Sequence, residues 1–90
     1  MPSSSKPIFI TLHARRQMQA RSVSEAEVLS AIRSPDTIRE GAREALSAIK
    51  TFRFDKQHQG TSYRFKKVEV RFVDEPNEIV VLTVISKFFN

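Results

Sequence analysis

The sequence predicts an α+β domain in which two N-terminal helices pack on one face of a mostly antiparallel sheet of about four strands. Three observations carry this. Ile79-Val80-Val81-Leu82-Thr83-Val84-Ile85 is an unbroken β-branched, apolar run, short enough to read as a strand buried on both faces. Just upstream, Val68 to Val73 alternates apolar and polar residues, and Asp74-Glu75-Pro76-Asn77-Glu78 between the two runs has turn chemistry. There the proline presets φ, the asparagine tolerates positive φ and the carboxylates favour water, so the two runs form a β-hairpin. Finally, the helix signals all lie before residue 36 and period-two alternation follows them, the order of a helical layer covering an antiparallel sheet.

Residues 1–7, with Pro2, Ser3, Ser4, Ser5 and Pro7, read as a short disordered leader to a single domain over 8–90. Ile8-Phe9-Ile10 is either a short strand or an apolar plug. Thr11 is placed as the N-cap of a first helix running to about Arg21, with Ala14 and Met18 as a narrow apolar stripe. His13, Gln17 and Arg21 stand at i, i+4 and i+8 and so share one flank beside that stripe. Ser24 and Glu27 make a capping box for a second helix, with Val23 and Val28 as its hydrophobic staple. This helix buries Val28, Leu29 and Ile32 and ends by Ser34, because Pro35 disfavours α geometry in the residue before it.

Asp36 to Arg39 leads out, with the composition of a brief strand. Gly41 to Leu46 fits a helical turn or a loop equally. Alternation returns from Ile49 to Phe54 and again from Thr61 to Lys66, around a turn-like Lys56-Gln57-His58-Gln59-Gly60. The expected apolar face holds Phe52, Phe54, Tyr63, Phe65, Val68, Val70 and Phe72. The opposite face then shows Thr51, Arg53, Ser62, Arg64, Lys66, Glu69 and Arg71, an open basic surface suited to a phosphate backbone.

Net charge is +5 and the pI about 10.1, which favours anionic partners. From Lys50 to Arg71 there are seven bases against Asp55 and Glu69, so the whole excess lies in the strand region. Such a surface either binds nucleic acid or only solubilises the domain. The absence of cysteine excludes disulfides, thiol catalysis and cysteine-ligated metal, and suits the cytoplasm. No apolar run is long enough to cross a bilayer, and the start lacks the core of a signal peptide. Two histidines without partners at ligand spacing, and only two glycines, argue against a metal site and against a phosphate-binding loop; no cofactor is expected.

The chemistry left open is metal-free cleavage of RNA. It needs a base for the 2′-hydroxyl, cations for the phosphorane and a donor for the leaving oxygen. His13 offers an imidazole that works as base or acid near neutral pH, or it packs under the sheet and is inert. Arg21 either clamps a phosphate or offsets the negative end of the first helix. Thr83 interrupts an apolar strand, so its hydroxyl meets a neighbouring carbonyl or forms the floor of a site. Arg53, Arg64, Lys66, Lys67 and Arg71 are the candidate nucleic-acid contacts, or else a solvated strand face. His58 reads as an exposed turn residue and Tyr63 as core.

His13-Ala14, Met18, Arg21, Val23-Ser24 and Val28 resemble the pattern H-A-x-x-R-M-x-x-R-G-I-S followed by an acidic helix, and Val81-Leu82-Thr83-Val84 resembles the closing V-V-T-V strand of the same family. That family is a bacterial group of small domains of unknown function, similar in element order to the RelE-like and BrnT-like toxins. The resemblance covers Thr11 to Ile85. It implies a RelE/barnase-like fold of helices on a curved antiparallel sheet, RNA cleavage, and His13, Arg21 and Thr83 as the recurrent polar positions. Gln17 stands where the pattern has an arginine, and Ser22 where it has a glycine. The leading expectation is a metal-free ribonuclease-like toxin domain neutralised by an acidic antitoxin-like protein. Its rivals are a non-catalytic module binding RNA or the ribosome, and a basic domain that docks an acidic protein.

Overall fold

The structure, a computed structural model, describes residues 6–90. Met1 to Ser5, most of the expected leader, lie outside the described residues. Lys6 and Pro7 are engaged: Lys6 Nζ pairs with the Asp74 carboxylate, and Pro7 O accepts from Ile79 N–H.

Thr11 caps α1 (Leu12–Ala20), its hydroxyl accepting from Ala14 N–H, and Ala14 and Met18 are the buried stripe. The helix closes in a Schellman turn, with Val23 N–H donating to Met18 O at 2.8 Å. Ser22 takes the left-handed position of that turn at φ 56°. A glycine would adopt this conformation without strain. The Ser24–Glu27 box opens α2 (Glu25–Arg33), which buries Val28, Ala31 and Ile32 and leaves Leu29 half-buried. Lys50 Nζ reaches Ser34 O at 2.6 Å and closes the far end of α2.

The strands are β1 (Ile8–Ile10), β2 (Thr37–Glu40), β3 (Ala45–His58), β4 (Thr61–Asp74) and β5 (Ile79–Phe89), in the order β1-β5-β4-β3-β2. The expected sheet of about four strands is therefore five and mixed, since β1 pairs parallel to β5 while the other pairs are antiparallel. The two alternating runs Thr61–Lys66 and Val68–Val73 belong to one strand, β4. A short 3₁₀ turn (Ala42–Glu44) fills the stretch left open between turn and loop.

The continuity of β4 corrects the expected division of faces. Putting Phe65 and Val68 on one face requires a break between them, yet β4 pairs without interruption from Phe65 to Arg71. Alternation then sends Lys66 inward with Val68, Val70 and Phe72, and Phe65 outward. The helices cover this inner face, where Phe72, Val68, Val70, Val81 and Val84 are fully buried. β5 is buried on that side only: Ile79, Val81 and Val84 are sealed, whereas Ile85 is 39% exposed. An extra residue opposite Arg71/Phe72 makes a bulge that shifts the phase of β5 at Leu82.

Candidate nucleic-acid interface

The sheet face without helices is laid out by register. Arg39, Ser47, Arg71 and Thr83 form one row across β2, β3, β4 and β5, and Thr37, Ile49, Glu69 and Ile85 form the next. Thr51, Lys67 and Lys87 make the third row, and Arg53, Phe65 and Phe89 the fourth. Rows on one face are about 6.7 Å apart, so the four span about 20 Å. Arg39, Arg53, Lys67, Arg71 and Lys87 are exposed cations here, against Glu69 and, at the end of the face, Asp55, which pairs with Arg53 at 2.6 Å.

Of the residues expected on this face, Thr51, Arg53, Glu69 and Arg71 are present, and the candidate contact Lys67 joins them. Arg71 spreads over Gly41, where a Cβ would lie 2.9 Å from its guanidinium, so the loop after β2 has room for the arginine because it has no side chain there. Arg64 alternates to the other side of β4, near the tip of the β3–β4 hairpin, and its backbone N–H donates to Asn90.

Lys66 is on the covered face and 3% exposed, so its expected place among the open-face contacts is corrected. Its ammonium pairs with Glu27 at 2.7 Å, donates to Ser22 O, and lies 5.7 Å from the ring centroids of Phe54 and Phe88. A buried cation needs such partners, and these tie β4 to the turn between the helices. Arg39 and Lys87 join the open face unforeseen. The signal for Lys87 was continued alternation past Ile85, through Lys87 to Phe89; Arg39 is brought in only by the pairing of β2.

His13 and Arg21 are exposed and line one open groove on α1 with Arg16, Gln17 and Ala20. Three bonds hold α1 alongside β5 in the same direction: Thr11 N–H to Val81 O, Val84 N–H to the Gln17 side-chain oxygen, and Ser86 Oγ to Arg21 O. Ten helical residues rise about 15 Å and five strand residues about 17 Å, so the two elements keep step. His13 consequently falls at the level of Leu82 and Thr83 along the strand axis. Arg21 lies about 12 Å further along the helix axis and lines the same groove.

Thr83 is half-buried opposite Arg71, and among the described residues no hydrogen bond engages its hydroxyl. His58, expected in an exposed turn, ends β3 half-buried, its ring stacked on Phe88 at 3.9 Å. Tyr63 joins the same cluster at 5.7 Å. Among the described residues no three histidine, aspartate or glutamate side chains gather, and no helix is long and apolar enough to cross a membrane.

Fold and site together define a small α+β domain with a mixed five-stranded sheet, helices on one face and a basic surface bearing two aromatic rings on the other. The chain belongs to the family described as Domain of unknown function (DUF4258), which matches residues 10–86, the stretch that carries the resemblance. No curated protein and no solved structure shows significant similarity to it.

Proposed function

We propose that this domain binds RNA across the open face of its sheet. The observation that carries the reading is the four-row layout: exposed arginines and lysines from β2, β3, β4 and β5 share with the Phe65–Phe89 pair a face with few carboxylates. Cations at this spacing neutralise consecutive phosphates, and ring faces accept bases without regard to sequence. Electrophoretic mobility shift of total cytoplasmic RNA tests it. A retarded complex that disappears as salt is raised supports the reading, and absence of any complex at low salt overturns it.

A second reading adds metal-free cleavage, of the kind associated with RelE-like toxins, with an acidic antitoxin-like protein as the neutralising partner. It is favoured by the exposed His13, level along the strand axis with Thr83, the cross-strand partner of Arg71. In this reading His13 takes the proton of the 2′-hydroxyl, the 2′-oxygen bonds to phosphorus as the bond from phosphorus to the 5′-oxygen breaks, the 5′-oxygen leaves with a proton from water, and a 2′,3′-cyclic phosphate remains, with Arg71 and the Thr83 hydroxyl stabilising the phosphorane. Arg21 holds a phosphate further along the strand. Incubating RNA with the protein in chelator gives the test: cleavage by the native chain that His13→Ala lowers at least a hundredfold supports it. Binding without cleavage would leave an RNA- or ribosome-binding module.

A further inference from the structure

We propose that the recess walled by Lys67, Lys87 and Phe89 takes an unpaired nucleobase, so that the RNA bound on the open face is single-stranded. The inference rests on the RNA-binding reading and specifies the ligand of that surface. The recess is about 230 Å³ and opens on the uncovered face. Phe65 and Phe89 are direct cross-strand partners with ring centroids 5.4 Å apart and planes 29° from parallel, so Phe65 backs one side of Phe89. β1 pairs with β5 only from Ile79 to Val81, and among the described residues no strand lies beyond β5 at Phe89. The outer side of the Phe89 ring therefore has no cross-strand neighbour.

Lys67 and Lys87 face each other directly one row away, about 6.7 Å along the strands. Two like charges directly opposed in a sheet destabilise it, and Glu69 is the only carboxylate in the adjoining row. An anion between the two ammonium groups relieves that repulsion. Phosphate on the lysines and a base on Phe89 are what one nucleotide supplies. In a duplex the base faces are already stacked on their neighbours, so only an unpaired strand can fill the recess. Lys87 and Phe89 also lie past the stretch shared with the family, which ends at residue 86.

The test is fluorescence anisotropy with a labelled, unstructured ten-nucleotide RNA, alone and annealed to its complement, at one salt concentration. The native chain is expected to bind the single strand at least tenfold more tightly. Phe89→Leu keeps an apolar partner for Phe65 and removes the aromatic face; it should cost the single strand about tenfold and change duplex affinity less than twofold. If that variant fails to fold by circular dichroism, an oligonucleotide carrying 2-aminopurine reads the native chain directly, with quenching on binding as the expected result. Equal, salt-sensitive affinity for single strand and duplex, or no quenching in the bound complex, would overturn the base recess while leaving RNA binding standing. Failure to bind either form would overturn both.

Discussion

Lys66 and Lys67 are neighbours in sequence with opposite fates. Lys67 stands in solvent on the open face, whereas Lys66 is sealed beneath the helices against Glu27, Ser22 O and two phenylalanine rings. Removing the charge from Lys66 leaves Ser22 O without its lysine donor and Glu27 with only the Ser24 N–H, a cost of about 1–3 kcal/mol even when the stem is kept. Lys66→Met is thus expected to lower stability by that amount in urea unfolding while leaving RNA affinity within twofold, and Lys67→Ala to do the reverse. Ser22 is a second residue whose role follows from its surroundings. In its left-handed position a non-glycine residue is strained by about 1–2 kcal/mol, partly offset by the greater unfolded-state freedom of glycine. Ser22→Gly should therefore raise stability by about 0.5–1 kcal/mol in the same measurement. No gain would mean that the Ser22 side chain contributes something the backbone argument omits.

At the level of elements, much was legible because the signals were local. The Thr11 cap, the Ser24–Glu27 box, the stop before Pro35 and the 68–85 hairpin each depend on residues within one turn or one loop. The faces of β4 were not legible, because two aromatics, Tyr63 and Phe65, made an odd-numbered phase look like core. What settles the phase is the pairing of β4 with both neighbours, and that depends on residues far away in the chain. The same long-range register brings Arg39 and Lys87 to the open face, and local pattern did not mark either. The candidate site was legible in type, a basic strand surface beside a helix bearing His13, but its membership was only partly so.

The seating of α1 along β5 depends on Gln17. Gln17 accepts from Val84 N–H at 2.8 Å, at an edge of β5 past its pairing with β1, where no other strand among the described residues lies. Arginine has no acceptor and cannot make that bond. Gln17→Arg is expected to cost about 1 kcal/mol and to speed amide exchange at Val84 roughly fivefold. Unchanged exchange there would show that the glutamine does not hold the helix in place.

Across the whole molecule, sheet pairing separates two kinds of surface. One face is a conventional core, with Phe72, Ile32 and a set of valines buried under two short helices. The other leaves five cations exposed around a half-buried, stacked aromatic pair, and His13 is exposed on α1 at the level of Thr83 along the strand axis. The net charge of +5 acquires a direction from this layout, since Lys50 and Lys66 are spent on the helices while Arg39, Lys67, Arg71 and Lys87 point away from them. The most direct measurement of the central claim is the salt dependence of single-stranded RNA binding. If the five open-face cations each neutralise a phosphate, log affinity falls against log salt with a slope of about −3.5, and Lys67→Ala with Lys87→Ala moves it to about −2. A slope that the double substitution leaves unchanged would contradict the assignment of this face to RNA.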